Sequence, residues 1–382
     1  MAYVVLAIAS SLTVPALCQT VDFTAHGTIL HTGNSLSLSG QSSANGPGTT
    51  TSGHTLTSLD SMAVDDVPSN PANPWFAGTT ANYTLDGSAA VLHVPAQSHI
   101  LHAELIWGGS YNYGGENLTA ALDQTVSLET PAAGSTAIAP DASWSHTINQ
   151  FSSGGYNAAY YVRAADVTAL VAQGGDGSYK VRGVPVTQAE TINSLNGGGW
   201  ALVVLVENAQ SPCRSLSLRP VGQWVDDTTS ATVVFSNLST PATVVGAIAG
   251  DASQTGDSLS ILIPATSSYE QLSGPNNQQN NFFASQINDG NGLLDVSGTF
   301  GTRNHNAVGM TQTIGGRQGW DLTSITLDSA NGELVPAQDA ATLRFYTVGD
   351  AYVAAFAAFE ADSTGPCAAP PGDGIFLDGF DG

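Results

Sequence analysis

The sequence predicts an all-β protein of the β-sandwich or jelly-roll type, built as one unit or as two packed β-subdomains, with one or two short helices. Two observations lead to this prediction. Short apolar or alternating segments recur along the 382 residues, and turn residues separate them at short intervals. Almost no segment has the apolar period of a helix. This combination is typical of sandwiches and jelly rolls.

The most informative segment is residues 197–208. Three glycines precede seven consecutive apolar residues, and Glu207 and Asn208 follow them. The apolar run is too short to span a membrane and too rich in β-branched residues for a good helix. Because only a strand covered on both faces needs apolar side chains at odd and even positions alike, we predict a central, fully buried strand here.

Further strands are predicted on the amino-terminal side of this segment. Residues 21–38 alternate loosely and contain turn residues, so they are predicted as one or two edge strands. Residues 83–85 and 89–94 are predicted as a hairpin through Asp86-Gly87. Residues 99–107 alternate as a half-buried strand does, and residues 156–163 form another strand.

A short helix is predicted from Asp166 to Gly174. Asp166 is placed to cap its amino terminus, and Val167, Leu170 and Val171 have helical spacing. Glycine is common just beyond the end of a helix.

The carboxyl-terminal half is predicted as strands, apart from one candidate helix within residues 267–281. Residues 352–359 are alanine-rich, yet apolar side chains on both faces and the preceding Gly349-Asp350 turn favour a strand. The other predicted strands are residues 178–184, 215–218, 231–235, 243–249, 258–263, 324–327 and 341–347.

The charge balance excludes some classes of partner. There are 31 acidic residues and eight basic ones, for a net charge of −23, and Lys180 is the single lysine. So acidic a surface repels phosphate backbones and anionic lipids, which argues against nucleic-acid binding and polybasic membrane attachment. The lysine-poor, glycine-rich composition is typical of secreted β-proteins.

Three regions are predicted. Residues 1–19 form a signal peptide, and residues 20–364 form a β-sandwich-type domain with a possible subdivision near residues 190–225. Residues 365–382 form a proline-rich linker with an acidic-aromatic tail. Residues 3–17 are apolar, and cleavage is expected near Cys18. Lipidation of Cys18, a mis-set start and a buried amino-terminal strand are the alternatives. We expect a secreted or cell-surface location and no transmembrane segment.

Cys213 and Cys367 remain after such cleavage. In an oxidising compartment they are candidates for one disulfide, and two unrelated cysteines are the alternative.

Catalytic patterns are weak. Gly256-Asp257-Ser258-Leu259 spells the nucleophile block of a class of serine esterases, but the serine leads into a predicted strand and no Asp-x-x-His follows. We interpret it as a turn at the start of a strand. No zinc-type spacing occurs, and His99 and His102 fall on opposite faces of their strand.

Three glutamates, Glu104, Glu207 and Glu360, lie on or at the ends of apolar strands. A buried carboxylate needs a partner, and structural ion pairs with Arg163, Arg182 or Arg344 are expected rather than a catalytic pair.

No cofactor is expected, with structural Ca²⁺ as the one alternative. Asp251, Asp257, Asp289 and Asp295 are the candidate ligands, because Ca²⁺ prefers hard oxygen ligands. Residues 289–295 partly imitate a calcium loop, although Leu293 occupies a position that should be acidic or amide. Turn chemistry is the ordinary explanation for such aspartates.

Five motifs occur in order over roughly residues 85–360. They are residues 103–109, 165–171, 198–204, 250–259 and 280–285. Together they resemble an uncharacterised exported domain at the amino terminus of large bacterial surface proteins with tandem immunoglobulin-like repeats. Residues 375–381 look like a short ending found on secreted proteins of Gram-negative bacteria. The resemblance implies an exported, adhesin-like all-β protein and brings no catalytic residues.

We therefore expect a secreted or cell-surface adhesion or binding protein without catalysis, whose ligand is a glycan or a protein surface. Ligand contacts are expected from loops at Trp75-Phe76, residues 111–113 and residues 276–281. One alternative is a structural envelope or matrix subunit that assembles with itself by strand addition. A second is a hydrolase of polysaccharides or esters.

Overall fold

The computed structural model describes residues 20–38, 54–56, 79–132, 134–153, 156–188, 196–236, 241–249, 255–263, 266–306, 308, 313, 315–327, 340–363 and 366–367. The predicted signal peptide and nearly all of the predicted linker and tail lie outside the described residues.

The described chain is mostly strands, which confirms the all-β prediction. Its one α-helix is α1 (Thr168–Gly174), and single 3₁₀ turns occur at Thr119–Ala121, Ala142–Trp144 and Gly301–Arg303. The strands are β1 (Val21–Ser35), β2 (Ser37–Leu38), β3 (His54–Leu56), β4 (Thr79–Thr80), β5 (Gly87–Leu92), β6 (His99–Tyr113), β7 (Glu116–Asn117), β8 (Val126–Glu129), β9 (Ser135–Ile138), β10 (His146–Ser153), β11 (Tyr156–Asp166), β12 (Gly177–Arg182), β13 (Gly198–Glu207), β14 (Cys213–Asp226), β15 (Ala231–Ser236), β16 (Pro241–Ile248), β17 (Ser258–Ile263), β18 (Ser268–Gln271), β19 (Arg317–Gln318), β20 (Asp321–Thr326), β21 (Ala340–Tyr346) and β22 (Ala351–Asp362).

The largest sheet has the order β10-β11-β6-β13-β1-β14-β22-β16-β20, with β7 paired to β6. Three smaller sheets have the orders β5-β12-β8-β9, β15-β21-β17-β18 and β19-β2-β3-β4. Neighbouring strands pair antiparallel in each.

The sheets stack as layers around three hydrophobic cores. Along β13, Trp200 and Leu202 point into a core shared with the β5-β12-β8-β9 sheet, whereas Ala201 and Val203 point into a middle core. The middle core also takes residues of β22 and β20, so the two halves of the large sheet pack face to face. All seven residues from 200 to 206 are completely buried, which confirms the predicted central strand.

The third core lies on the face of the β14-β22-β16-β20 half of the large sheet that is opposite the middle core. Tyr352 and Phe359 of β22 join it, together with Leu343 of β21 and Leu259 of β17. The outcome is a stack of β-sandwiches, as the fold class predicts. The prediction that residues 352–359 form a strand is confirmed by β22.

Strand β1 joins the two halves of the large sheet. The Asn208 N–H donates to the His26 carbonyl at 2.7 Å, and the next amide of β1, Gly27 N–H, donates to the Pro212 carbonyl at 3.2 Å. The C=O and N–H of one peptide point in opposite directions, so β13 and β14 lie on opposite edges of β1. The prediction of edge strands for residues 21–38 is therefore wrong.

Two glycines explain that error. They were interpreted as turn residues, but Gly27 and Gly33 lie within β1, where a Cβ would come within 2.1 Å of the Val206 carbonyl oxygen and 2.4 Å of the Trp200 carbonyl oxygen, respectively. Their role is close approach to β13 rather than chain reversal.

Of three further local predictions, the helix at Asp166 to Gly174 is confirmed and two others are wrong. The helix is confirmed as α1, although Val167 is its N-cap and the Asp166 carboxylate instead accepts from the Thr168 N–H at 2.8 Å. Residues 83–85 lie in a turn rather than a strand. Residues 267–281 contain β18 and turns but no helix, so that candidate is wrong.

A disulfide joins Cys213, the first residue of β14, to Cys367 beyond the end of β22. Beside it, the Ser363 N–H donates to the Cys213 carbonyl at 2.8 Å. The bond links the end of the described chain to β14, the strand that follows the connection from β13 at residues 208–212.

Candidate functional site

Over part of its length, one edge of β1 pairs with no other strand in the described part of the chain. In the β1–β13 ladder the even-numbered residues of β1 exchange hydrogen bonds with β13, so the main-chain groups of Ile29 and His31 face the other way. The Ile29 N–H donates to the Glu360 carboxylate at 2.7 Å. Beyond Ile29 this edge borders a cleft.

The cleft, which we call the β1 cleft, has a volume of about 460 Å³. Its walls are residues 28–32 of β1, Val91 and His93, and residues 288–291 and 294–297. This volume is within the range of about 300–1,000 Å³ that is usual for small-molecule sites.

His31 is the most unusual group in the β1 cleft. Both ring nitrogens are shielded from solvent, and neither has a hydrogen-bond partner among the described residues. Burial lowers the pKa of His31 to about 4, and the negative charges of Asp289 and Asp295 offset only part of that effect. The imidazole is therefore neutral at pH 7 and offers one donor and one acceptor.

Asp289 and Asp295 each use one carboxylate oxygen to hold the loop. Asp289 Oδ1 accepts from the N–H groups of Asn291 at 2.8 Å and Leu293 at 3.0 Å, and Asp295 Oδ1 accepts from the Ser297 N–H at 2.7 Å. The second oxygen of each carboxylate makes no hydrogen bond within the described part of the chain. These oxygens remain available to a ligand.

The buried Arg317 side chain holds the main chain of residues 295–299 in place. This fully buried guanidinium donates to the carbonyl oxygens of Asp295 at 2.8 Å, Ser297 at 2.5 Å and Thr299 at 3.3 Å. Burial lowers the pKa of Arg317 to about 10, so it stays charged at neutral pH. Each of the three carbonyls it holds belongs to the segment that forms the cleft wall or follows it directly.

Buried amides support the same loop. Asn288 Nδ2 donates to Asn277 Oδ1 at 3.2 Å and to Thr323 Oγ1 at 3.1 Å, and Asn304 Nδ2 donates to the Asp295 carbonyl at 2.7 Å. The expectation that the Asn-rich residues 276–281 contact a ligand is therefore wrong for Asn276, Asn277 and Asn281, which are buried.

Of the two other loops expected to contact ligand, the structure describes residues 111–113. Tyr111 and Tyr113 belong to β6 and are buried, because this strand continues well beyond the glycines that were expected to end it. Trp75 and Phe76 lie outside the described residues.

Of the four aspartates considered for Ca²⁺, the structure describes three, and these three do not come together at one site. Asp251 lies outside the described residues, and Asp257 is buried at the start of β17. Asp289 and Asp295 share the β1 cleft. Among the described residues, no group of three His, Cys, Asp or Glu side chains is arranged to hold a metal ion.

Ser258 does not have the surroundings of an esterase nucleophile. It is buried on β17, where Oγ donates to the Gln279 carbonyl at 2.8 Å and accepts from Gln271 Nε2 at 3.1 Å. The site is a strand, not the strand-to-helix turn that presents a catalytic serine.

The buried glutamates find different partners from those predicted. Glu104 contacts His102 at 2.9 Å, and Glu360 contacts Arg214 at 3.0 Å. Burial raises the pKa of Glu104, and the His102 side chain opposes that shift. The predicted arginine partners are wrong because the strand register, which the sequence does not show, decides which side chains meet.

Within the described residues, no helix is long and apolar enough to cross a membrane.

Comparisons with known proteins place the chain in no family. No protein-family model and no curated protein matches it. Among solved structures, a chain of the T13 IBDV viral particle is 12% identical, with 91% of this chain and 72% of that chain covered and a TM-score of 0.17. A similarity at this level supports no argument about fold or function.

Proposed function

We propose that this is a non-catalytic binding protein of the cell exterior that holds a glycan in the β1 cleft. The observation that carries the proposal is a cleft of about 460 Å³ in which Asp289 and Asp295 each keep one carboxylate oxygen that accepts no hydrogen bond from the described residues. A ligand with donor groups would supply the missing partners.

The chemistry of the walls favours a hydroxyl-rich ligand. Sugar hydroxyls both donate and accept, and the β1 cleft offers both kinds of group: two carboxylate oxygens, and the N–H and C=O groups on the main-chain edge of β1. A purely apolar ligand would leave these groups unpaired, which costs affinity.

Three features support an extracellular location. The Cys213–Cys367 disulfide suits an oxidising compartment. The acidic, lysine-poor composition and the apolar residues 3–17 point the same way.

A second candidate function is self-assembly by strand addition. The observation that favours it is the free edge of β1, because the main-chain groups of His31 face away from β13 and would pair with an added strand.

A glycan array with the chain from residue 20 onward, run with calcium and again with a chelator, tests the proposal. Selective binding that survives chelation is expected. Loss of binding in chelator would place a calcium ion in the site. A blank array from folded protein, together with concentration-dependent oligomers in sedimentation, would replace glycan binding by strand addition.

A further inference from the structure

We propose that the β1 cleft selects glycans that carry a free amino group, so that a protonated amine binds between Asp289 and Asp295. This inference rests on the proposed function and adds the class of sugar to it.

The β1 cleft is negatively charged. Among the described residues that line it, Asp289 and Asp295 are the two carboxylates, and none is Lys or Arg. His31 is neutral at pH 7 because burial holds its pKa near 4. His93, at the rim, is largely exposed and lies 3.5 Å from the Asp176 carboxylate, which adds negative charge rather than removing it.

Arg317 is a cation close to Asp295, but it does not hydrogen-bond the cleft carboxylates. Its Nε, Nη1 and Nη2 atoms all donate to main-chain carbonyls beneath the loop, and its side chain is fully buried. Arg317 therefore reduces the negative potential of the β1 cleft without offering a donor to a ligand.

The β1 cleft also contains hydrogen-bond acceptors that no described donor uses. Each aspartate has one oxygen that accepts no hydrogen bond from the described residues, and the Ile29 and His31 carbonyls lie on the free edge of β1. An ammonium group brings three donors and a positive charge, which matches both the acceptors and the net charge.

His31 gives the cleft a second, uncharged contact. Its main-chain N–H and C=O face away from β13 and suit a hydroxyl, which can accept from the N–H and donate to the carbonyl. Amine and hydroxyl recognition together describe an amino sugar. An N-acetylated sugar loses the charge and two of the three donors, and a sugar acid is repelled by the aspartates.

Calorimetric titration of the chain from residue 20 onward tests this proposal. The probes are a β-1,4-linked tetramer of glucosamine, the matching N-acetylglucosamine tetramer and cellotetraose. At pH 6 the glucosamine tetramer is expected to bind at least tenfold more tightly than either neutral tetramer. At pH 9, above the usual range of about 7.7–8.0 for α-amino groups, this advantage should disappear.

Matched variants locate the effect. Asp289→Asn and Asp295→Asn keep one acceptor oxygen for the turn amides and remove the charge, so each should lower the preference for the amine about tenfold. Glu270→Gln, on the exposed face of β18, removes the same charge from a residue that does not line the β1 cleft and should leave the preference unchanged.

Three results would overturn the inference. Equal or tighter binding of the neutral tetramers would refute amine selection while leaving glycan binding intact. An equal loss in Glu270→Gln would show diffuse attraction by the acidic protein instead of a site. If none of the three tetramers binds and the array is also blank, the proposed function fails with it. Should a cleft variant not fold, the pH comparison on the unmodified chain still decides.

Discussion

At the scale of single residues, Arg317 shows how one buried cation can shape a binding cleft. It has no carboxylate partner among its described hydrogen bonds, and its energy of burial is offset by three carbonyl acceptors within residues 295–299. Removing the side chain would leave those buried acceptors without donors.

Arg317→Met should therefore lower the free energy of unfolding by about 3–5 kcal/mol and disorder the cleft wall. Urea unfolding measures the first effect. Arg182→Met, at a half-exposed site on β12, is the control and should cost less than about 1 kcal/mol. Similar losses in both variants would contradict the account of Arg317.

His305 provides a pH test of burial. It is fully buried, accepts from the Thr313 N–H at 2.9 Å, and has a pKa lowered to about 4 by burial. The unfolded chain, with its ordinary value near 6.5, takes up this proton first as pH falls. Stability should therefore drop between pH 6.5 and pH 4, by up to about 3 kcal/mol from this group.

Urea unfolding at pH 7 and at pH 4.5 measures whether the free energy of unfolding falls as the pH falls. The carboxylates also titrate in this range, so the contribution of His305 is the difference between the unmodified chain and His305→Gln. The variant should be the less sensitive to acid, and equal sensitivity would show that His305 is accessible to protons in the folded state.

At the scale of elements, the sequence identifies strands whose signal is local. The apolar run of β13, the turn before β22 and the capped helix α1 all lie within about ten residues of chain, and all three are confirmed. The position of β1 is not a local property, because the strands that flank it lie more than 160 residues away in sequence. Alternation alone did not distinguish a joining strand from an edge.

Close packing between elements gives a further prediction. A Cβ on Gly199 of β13 would lie 2.5 Å from Trp320 Cβ and 2.7 Å from the Asn34 carbonyl oxygen. Gly199→Ala should cost about 1–3 kcal/mol or more in stability, as overpacking of a core does. At Gly134 a Cβ would meet nothing within 4 Å, so Gly134→Ala is the matched control. Thermal unfolding compares the two, and equal melting temperatures would refute the close approach.

At the scale of the whole molecule, β1 joins the two halves of the large sheet, and the disulfide fastens the end of the described chain to β14 within the second half. Cys213 and Cys367 are separated by 154 residues, so the bond restricts a long loop of the unfolded chain. Cys213→Ser with Cys367→Ser should lower stability by about 2–4 kcal/mol. Denaturant unfolding of the double variant measures this, and reduction of the unmodified chain is the control. No loss in either would mean that the pairing at the end of β22 suffices without the bond.

The β1 cleft also exists only at this scale. Its walls come from residues 28–32, Val91 and His93, and residues 288–291 and 294–297, which the fold alone brings together. The sequence singled out Asp289 and Asp295, because paired acidic residues in a glycine-rich loop are visible locally, but it suggested calcium. His31 carried no signal, since a single histidine in an alternating strand is ordinary. The environment of His31 becomes visible only in the folded structure, which shows which groups are left without hydrogen-bond partners among the described residues.

The most direct test of the account blocks the cleft. Asn291 is exposed and lines it, so Asn291→Trp should fill its mouth, whereas Thr232→Trp places the same side chain on the exposed face of β15. On the glycan array, Asn291→Trp should lose at least tenfold in affinity for the glycans that the unmodified chain binds, and Thr232→Trp should lose none. Undiminished binding by folded Asn291→Trp would show that the glycan site lies elsewhere.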